Sequence, residues 1–576
     1  TINGYRHVVF GFETNLHHFG GSTPQTVGTV FELAFKVQSK GKLCIKKTSA
    51  NPAITDNNPC YSLQGAEYGV YKTEADAKAN KNKVNTLTIG KYDSSEKYKD
   101  WSNEIELDAG TYYLKETKNP KGYALNNSVV SVVVKANESS WIGSNGEFKD
   151  YPQSDPIGIL LGKIDKETNK NKPQGSASLA NAEFTVKYYK GLYDSDPAKS
   201  GQTPARTWVL KTNSDGYCFL DNNYKVSGDD FYYNSNNTPT VPVGTVTIQE
   251  TVPVGTVTIQ ETKAPSGYFI NSEVFVRKIT PSGSDANVST YNYPEVNEKV
   301  IKFNIKKVQA GTSTPVSGAV FRHTLPNGST EDLTTNGSGE ITITGLASGT
   351  HKIKEIKSPD GYQLNPNEVV FNVASSTGKI TFTSGTNSLI VQGTKDSGDG
   401  YATFSDKVNP FNLKITKTNE HGKVLKGAEF TVYSDADCKN VVDTQTSDDK
   451  GLLTFKNLDV EKTYYFKETK APQGYRIPVD ENGKAYVHSV YVKATPQTNT
   501  FEFTVDGIKY DTSKTSGNVR LEGSKKDRVV AVDITNKTTQ LLPETGSNGT
   551  ILLIGLGVAV IAFALYKSKK DKMISK

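Results

Sequence analysis

The sequence predicts an all-β protein in which β-sandwiches follow one another in an elongated rod, with one transmembrane helix at the C-terminus. Three observations predict this architecture. The chain of 576 residues is rich in Tyr, Thr, Val, Gly and Asn but has only three Trp and one Met, a composition typical of β-proteins. Short strands of alternating hydrophobicity are separated by turns of Gly, Asn, Asp and Pro. A strand-turn pattern also recurs four times along the chain.

The recurring unit joins a strand that ends in glutamate to a turn that contains Gly-Tyr. Each turn has a proline two residues before its glycine. Proline fixes φ and glycine allows a positive φ, so this is the chemistry of a tight turn. The turns lie at residues 120–123, 265–268, 359–362 and 472–475. Upstream of each turn, a second shared strand carries an alanine followed two residues later by an aromatic residue, at 65–68, 181–184, 318–321 and 427–430.

The repeats set the domain boundaries, and the chain length alone also suggests about four domains. We predict four immunoglobulin-like sandwiches, called modules 1 to 4, at residues 41–155, 156–298, 299–410 and 411–537. Residues 1–40 are predicted to be the remnant of an upstream β module, and residues 73–82 a short helix. The chain begins at Thr1 without a signal peptide, so a mature form or a fragment is expected.

Residues 538–576 contain three features in a fixed order. The pentapeptide Leu542-Pro543-Glu544-Thr545-Gly546 precedes an apolar run from 551 to 566, and a lysine-rich tail follows. The run is close to the lower limit for a transmembrane helix, which needs about 17 to 25 residues. The lysines hold the tail in the cytoplasm, so the pentapeptide is expected just outside the membrane.

This order of features resembles the LPXTG sorting signal of Gram-positive surface proteins. The resemblance implies that a sortase cuts between Thr545 and Gly546. It further implies that Thr545 is then joined to the peptidoglycan of the cell wall or to another subunit. An ordinary membrane anchor is the alternative.

The first strand of every module carries a lysine on its apolar face. Side chains two residues apart on a strand share a face, and Leu43 and Ile45 share theirs with Lys47. The glutamates before the Gly-Tyr turns follow the same parity. The residues are Lys47, Lys163, Lys307 and Lys417, with Glu116, Glu261, Glu355 and Glu468. Burial of a charge without a partner is expensive, so these lysines and glutamates are expected to meet.

Every module also closes on a strand that places Asp or Asn on its apolar face. These residues are Asp150, Asn292, Asp406 and Asn536, with Asn297 as the alternative to Asn292. Desolvation lowers the pKa of a lysine and raises that of a glutamate. A neutral amine is a nucleophile, and a protonated glutamate can shuttle protons. The predicted product is an amide bond from lysine to Asn, with loss of ammonia, or to Asp, with loss of water. The alternative is a buried ion pair with a hydrogen-bonded amide.

These units resemble the Cna-B/SpaA-type, prealbumin-like domains of Gram-positive adhesins and pilins. The likeness rests on the Lys-Glu-Thr-Lys-Ala-Pro-x-Gly-Tyr block of residues 467–475 and on its counterparts in the other modules. Module 3 departs from that block at residues 355–359. The resemblance implies intramolecular isopeptide bonds whose formation the glutamates assist.

Residues 240–250 are repeated without change at residues 251–261. The insertion has an odd number of residues, so it cannot slide into a β-ladder without turning its side chains to the opposite face. One copy must therefore leave the strand or form an added one. Glu261 leads into a Gly-Tyr turn, so it is predicted to assist the bond in module 2, and Glu250 is predicted to be the spare.

The expected function is that of a cell-wall-anchored stalk, an adhesin or a pilus subunit, on the surface of a Gram-positive bacterium. It is not expected to be an enzyme. The alternatives are a polymerising or minor pilin, and the stalk of a surface enzyme whose catalytic module lies upstream. The Tyr-Pro-Lys motif of shaft pilins does not occur in the sequence.

The expected partners are sortase and peptidoglycan, with other pilin subunits and a host matrix or glycan ligand as further candidates. Lys and Glu are interspersed and the net charge is only +6, so no nucleic-acid partner is expected. No cofactor or metal is predicted, because His7, His17 and His18 are the only clustered histidines and lack further ligands. Pairing of Cys44 with Cys60 stays open.

Overall fold

The computed structural model describes residues 5–16, 25–36, 39–234, 249–494, 502–511, 517–523 and 528–539, with backbone alone for 5–16 and 25–36. The pentapeptide and the predicted transmembrane helix lie outside these ranges. Among the described residues, no helix has the length and apolar character needed to cross a bilayer. One compact unit holds modules 1 to 3 and a second holds module 4. Almost all regular structure is strand, which confirms the predicted all-β class.

The N-terminal segment forms an antiparallel hairpin of β1 (Tyr5–Leu16) and β2 (Gln25–Lys36).

Module 1 packs a sheet of order β10-β3-β7, with the short pair β11-β4, against a sheet of order β6-β5-β8-β9. Its strands are β3 (Lys40–Ile45), β4 (Thr48–Ser49), β5 (Glu67–Tyr71), β6 (Asn85–Thr88), β7 (Ile105–Asp108), β8 (Gly110–Lys118), β9 (Val129–Val134), β10 (Ser139–Ile142) and β11 (Lys149–Asp150). The helices are α1 (Pro52–Thr55), α2 (Glu74–Ala79) and a 3₁₀ turn (Glu96–Tyr98). Helix α2 lies where a helix was predicted. It begins after Thr73, whose hydroxyl accepts a hydrogen bond from the Asp76 amide.

Module 2 has sheets of order β16-β13-β23-β21 and β17-β15-β14-β20-β22, and a small sheet β12-β19-β18. Its strands are β12 (Ser154–Asp155), β13 (Ile159–Asp165), β14 (Glu183–Tyr189), β15 (Arg206–Lys211), β16 (Tyr217–Phe219), β17 (Lys225–Gly228), β18 (Tyr232–Asn234), β19 (Gln249–Pro253), β20 (Gly255–Lys263), β21 (Tyr268–Phe269), β22 (Val274–Ile279) and β23 (Glu295–Val300). A 3₁₀ turn spans Pro197–Ser200. Strand β12 belongs to this module by pairing, although the sequence placed it at the end of module 1.

The duplicated segment forms the added strand β19, which runs from the end of the first copy into the second. The second copy then supplies β20 in the main sheet. The turn between β19 and β20 also contacts module 1. The Tyr61 hydroxyl accepts a hydrogen bond from the Val254 amide at 2.8 Å, and Asn58 Nδ2 donates to the Val254 carbonyl at 3.2 Å. The duplicated segment therefore takes part in the contact between modules 1 and 2.

Module 3 has sheets of order β27-β24-β32-β31 and β26-β25-β28-β29-β30. Its strands are β24 (Lys302–Gln309), β25 (Val320–Thr324), β26 (Thr330–Thr334), β27 (Glu340–Thr344), β28 (Gly349–Lys357), β29 (Glu368–Val373), β30 (Ile380–Phe382), β31 (Ile390–Thr394) and β32 (Gly400–Asp406).

Module 4 has sheets of order β36-β33-β43-β38, with β42 also on β43, and β35-β34-β37-β39-β40-β41. Its strands are β33 (Phe411–Asn419), β34 (Glu429–Tyr433), β35 (Val441–Thr446), β36 (Leu452–Leu458), β37 (Thr463–Lys470), β38 (Tyr475–Arg476), β39 (His488–Val492), β40 (Phe503–Val505), β41 (Ile508–Tyr510), β42 (Val519–Glu522) and β43 (Arg528–Thr538).

A shared arrangement relates the four modules. In modules 2, 3 and 4, the strand that carries the lysine pairs in parallel with the last strand of the module, and in module 1 the short strand β4, which follows the lysine, pairs in parallel with the last strand β11. The strand that ends in the repeated glutamate lies in the opposite sheet. Alternation on β33 shows the consequence, because Phe411, Leu413, Ile415 and Lys417 are all buried while the residues between them are partly exposed. The lysine therefore points into the space between the sheets, toward the glutamate.

Candidate cross-linking sites

A buried lysine lies at the centre of each of the four sites. The side chains of Lys47, Lys163, Lys307 and Lys417 are at most 1% exposed. Each follows apolar residues of the same parity on the first strand, which carry it into the core. A charge at this depth needs partners, and a glutamate from the opposite sheet supplies one in every module.

In module 1, the predicted residues meet. Lys47 Nζ lies 2.7 Å from Glu116 Oε1 and 2.6 Å from Asp150 Oδ1. Burial raises the pKa of Asp150 to about 8, against the opposing effect of Lys47. Burial also raises the pKa of Glu116. A carboxyl that holds its proton near neutral pH can lose hydroxide as water when an amine attacks it, so this group of residues fits amide formation.

Module 3 brings its predicted residues together in the same way. Lys307 Nζ lies 2.9 Å from Glu355 Oε2 and donates a hydrogen bond to Asp406 Oδ1. Burial raises the pKa of Asp406 to about 7.

Module 4 has an amide in place of the second carboxyl. Lys417 Nζ donates to Asn536 Oδ1 and lies 3.2 Å from Glu468 Oε2, while Asn536 Nδ2 donates to Glu468 Oε1 at 2.9 Å. Burial lowers the pKa of Lys417 to about 8 and raises the pKa of Glu468. Burial thus favours the neutral form of the Lys417 amine. Glu468 thus contacts both the Lys417 amine and the side-chain nitrogen of Asn536.

Module 2 differs from the prediction at its acceptor. Lys163 contacts Glu261, as predicted, but its second partner is Glu298, whose Oε1 lies 2.7 Å from Lys163 Nζ. The structure does not bring Asn292 to the lysine. Asn292 is exposed and precedes the closing strand β23, which begins at Glu295. Asn297 is also exposed, because β23 buries Val296 and Glu298 and turns the residue between them outward.

The register explains why Glu298 occupies this place. In modules 3 and 4, the acceptor pairs across the parallel ladder with the residue two positions after the lysine, as Asp406 does with Gln309. Asp150 holds the same position opposite Ser49. In module 2, Glu298 pairs with Asp165, two positions after Lys163. Glu298 is therefore the structural equivalent of the Asp and Asn acceptors.

An aromatic ring beneath each lysine is a site component that the sequence did not assign. The rings belong to the shared strand with the alanine, and each pairs directly with the assisting glutamate across the ladder. The lysine Nζ lies 4.7 Å from the ring centroids of Tyr68 and Phe184, 5.5 Å from that of Phe321 and 5.4 Å from that of Phe430. The fourfold recurrence of the aromatic residue after the alanine was the available signal.

A backbone amide orients the glutamate in three modules, which the sequence analysis also missed. The amides of Asn126, Asn271 and Asn365 donate to Glu116, Glu261 and Glu355 at 2.7, 2.6 and 2.9 Å. Each asparagine comes ten residues after its glutamate. In module 4 that position is Pro478, which has no N–H to donate, and Asn536 Nδ2 donates to Glu468 instead.

Other candidates from the sequence have no place in these sites. Glu250 lies in β19, paired with Tyr233, so Glu261 is the copy against Lys163. All four cysteines are free, and Cys44 and Cys60 are separately buried. Within the described ranges, no cluster of three His, Cys, Asp or Glu residues could hold a metal ion.

Comparison with known families agrees with this architecture. The family described as "Prealbumin-like fold domain" (SpaA) matches residues 45–145, 162–294, 301–387 and 411–500. The chain belongs to the SpaA family. The LPXTG cell wall anchor motif matches residues 534–572, which include the pentapeptide. SpaA modules followed by this anchor make the chain a pilin- or adhesin-type surface protein of the Gram-positive cell wall. The anchor motif implies attachment to peptidoglycan by a sortase.

One curated relative is the "Trypsin-resistant surface T6 protein" of Streptococcus pyogenes serotype M6. It is 26% identical to this SpaA protein over 270 residues, which is 46% of this chain and 36% of the relative. The match thus spans little more than a third of that relative's length.

Similar solved structures include the Bacillus anthracis TIE protein, with 15% identity, coverage of 93% of this chain and 76% of that chain, and a TM-score of 0.34. The major pilin SpaD of Corynebacterium diphtheriae is 17% identical, and the match covers 66% of this chain and 98% of that chain, with a TM-score of 0.23. A streptococcal ancillary pilin is 14% identical, and the match covers 66% of this chain and 98% of that chain, with a TM-score of 0.21.

Proposed function

We propose that this protein is a wall-anchored stalk whose modules lock themselves with isopeptide bonds. The bonds with Asp or Asn acceptors join Lys47 to Asp150, Lys307 to Asp406 and Lys417 to Asn536. One observation carries the proposal: in each of these modules a lysine with no exposed side-chain surface contacts both a glutamate and an acceptor on the neighbouring parallel strand.

The chemistry is clearest in module 4. The neutral amine of Lys417 attacks Cγ of Asn536, and a C–N bond forms as the bond to the side-chain nitrogen breaks. Glu468 accepts a proton from the attacking amine and returns it to the leaving nitrogen, which departs as ammonia. At the Asp sites the leaving group is water. Each glutamate assists one bond in its own module, so the reaction has no turnover and the protein is not an enzyme.

The position of the bonds suits a protein under tension. Each bond joins a lysine near the start of its module to the last strand of that module, so a pull on the two ends of the module passes through the covalent link. The residues between lysine and acceptor cannot then be extended. A cross-link also constrains the unfolded chain, and for a disulfide this effect is typically about 2 to 4 kcal/mol. Unlike a disulfide, an amide is not reducible.

The intact mass of the purified chain tests these bonds. The mass should fall below that of the sequence by about 18 Da for each Asp link and about 17 Da for the Asn link. Lys417→Met should abolish the mass loss of module 4 alone. Lys426→Met, at an exposed position of the same module, should retain that mass loss. Unmodified mass in modules 1, 3 and 4 would overturn the proposal.

Resistance to trypsin offers a second readout. The matched relative is named trypsin-resistant, and we infer the same property here, because a locked module opens less often to a protease. Trypsin should cut the Lys417→Met variant within module 4 faster than it cuts the parent chain. Equal cleavage rates would show that the bond does not restrain opening.

We further infer that the stalk is joined to the wall, or to another pilin subunit, through Thr545. Mass spectrometry of wall-released protein should find Thr545 at the carboxyl end, linked to an amine of peptidoglycan or of a second subunit. Residues 547–576 retained on wall-bound protein would contradict cleavage after Thr545.

A further inference from the structure

We propose that module 2 closes with a lysine–glutamate isopeptide bond between Lys163 Nζ and Cδ of Glu298. This inference rests on the proposed function, since it assumes that the buried lysines react. The other modules have Asp or Asn at this position. The sequence predicted Asn292 or Asn297 as the acceptor in module 2.

The place of Glu298 in the ladder is the first argument. It faces Asp165 across the parallel pair β13–β23, as Asp406 faces Gln309 and Asn536 faces Asn419. Nothing in the strand pairing distinguishes this acceptor from those of modules 3 and 4.

The reach of the longer side chain is the second argument. Glutamate has one more methylene than aspartate, yet Glu298 Oε1 lies 2.7 Å from Lys163 Nζ, compared with 2.6 Å between Asp150 Oδ1 and Lys47 Nζ. Both side chains of the module 2 pair are 0% exposed. Bulk water therefore does not hydrate the amine or the carboxyl, and the reacting atoms are already in contact.

The two carboxyls around Lys163 have different surroundings, which separates their roles. Glu261 accepts a hydrogen bond from the Asn271 amide at 2.6 Å, as Glu116 and Glu355 do from their own loop amides. Within the described part of the chain, the oxygens of Glu298 make no hydrogen bond to any group besides Lys163. Glu261 is thus held in the assisting position, and Glu298 is left as the acceptor.

The protonation of the two carboxyls also favours Glu298 as the acceptor and Glu261 as the assisting group. Two ionised carboxylates beside one ammonium would leave a buried net negative charge, which is costly. Burial raises the pKa of Glu298 to about 7, with Glu261 adding to the effect and Lys163 opposing it. The raised pKa favours the protonated form of Glu298, and a carboxylic acid, unlike a carboxylate, can be attacked by an amine.

The reaction balances without an external reagent. The amine of Lys163 attacks Cδ of Glu298, and the new C–N bond replaces a C–O bond. Glu261 takes a proton from the nitrogen and delivers it to the departing hydroxyl, which leaves as water. One amine and one carboxylic acid give one amide and one water.

Peptide mapping of the purified full chain tests the proposal. A proteolytic fragment should contain Lys163 joined to Glu298, with a mass about 18 Da below the sum of its two peptides. Fragmentation spectra should place the junction at these two residues. A junction at Glu261, Asn292 or Asn297 would overturn the assignment of the acceptor.

A substitution gives a sharper test. Glu298→Gln offers an amide that loses ammonia instead of water, so its cross-linked product should have the same mass as that of the parent chain. Lys163→Met should abolish the junction, while Asn292→Ala, at an exposed position, should leave it intact. If a variant does not fold, peptide mapping of the parent chain still tests whether Lys163 is joined to Glu298.

Failure of this inference is distinguishable from failure of the proposed function. Mass losses in modules 1, 3 and 4 with free Lys163 and Glu298 in module 2 would overturn only the lysine–glutamate bond. No mass loss in any module would overturn both.

Discussion

The amine of Lys47 donates a hydrogen bond of 2.6 Å to the hydroxyl of Tyr68, at the position where modules 2, 3 and 4 have phenylalanine. Burial raises the pKa of Tyr68 well above its ordinary value, so the hydroxyl keeps its proton and cannot act as a base. It accepts from the amine and thereby holds the nucleophile between Glu116 and Asp150.

Tyr68→Phe should therefore keep the cross-link in module 1. The other modules have phenylalanine at this place, so the proposed chemistry does not depend on a hydroxyl there. Its loss removes one hydrogen bond, and we expect the rate of bond formation to change by no more than about tenfold. Intact mass followed over time after folding measures this rate, and complete loss of the module 1 bond would show that the hydroxyl takes part in the reaction.

Glu468→Ala should abolish the bond in module 4. The carboxyl is the group that contacts both the Lys417 amine and the Asn536 amide, so without it no proton can pass between them. The loss of about 17 Da should disappear from module 4 peptides. Glu481→Ala, at an exposed position in the same module, is the matched control and should retain the loss.

The duplicated strand gives a paired test within module 2. Glu261→Ala should abolish the proposed junction at Lys163, and Glu250→Ala should not affect it. Both glutamates end the same Thr-Ile-Gln-Glu sequence, but only Glu261 contacts the lysine, whereas Glu250 lies in β19. Peptide mapping of the two variants measures the outcome, and the reverse result would show that the first copy occupies the central strand.

Module 3 should lose stability in mild acid through His351. Its Nε2 donates to the Ala347 carbonyl at 2.8 Å, so Nδ1 of the neutral ring accepts from His323 Nε2 at 2.9 Å. Burial lowers the pKa of His351 from 6.5 to about 4. Between pH 6.5 and about 4, the imidazole of His351 is therefore mostly protonated in the unfolded chain and mostly neutral in the folded module. This contribution to stability is complete above pH 6.5 and is lost as the pH falls toward 4.

Hydrogen exchange followed by mass spectrometry can measure this effect on the intact chain. After correction for intrinsic exchange, module 3 peptides should exchange faster at about pH 5 than at about pH 7. His351→Phe retains an aromatic ring against Phe371 but cannot be protonated, so the acid dependence should shrink in this variant. Acid dependence of the same size in the variant would assign it to another group.

Some features of the sites follow from the sequence because strand parity is a local property. Lys417, Glu468 and Asn536 each continue an apolar alternation on their own strand, so the face that they share with the core is readable without the fold. The sorting signal is similar, since its order of pentapeptide, apolar run and lysines is a linear pattern, which the anchor motif match confirms.

The residue that contacts Lys163 from the closing strand of module 2 depends on the tertiary structure. Parity tells which face a residue takes, but the register between two strands far apart in sequence decides which residue stands opposite the lysine. The predicted acceptor Asn292 lies before the closing strand, whereas Glu298 lies within it. Only the pairing of β13 with β23 identifies the residue in contact with Lys163.

Linear patterns in the chain are enough to predict the all-β class, the four repeats and the burial of their lysines and glutamates, because a period of two fixes which side chains of a strand enter a core. The contacts across the sheets follow from the fold: the rings beneath the lysines, the loop amides on the glutamates, the separate burial of Cys44 and Cys60, and the contact of Glu298 with Lys163. These contacts join residues on different strands, and their distances are set by packing and register, which no single segment of the chain encodes.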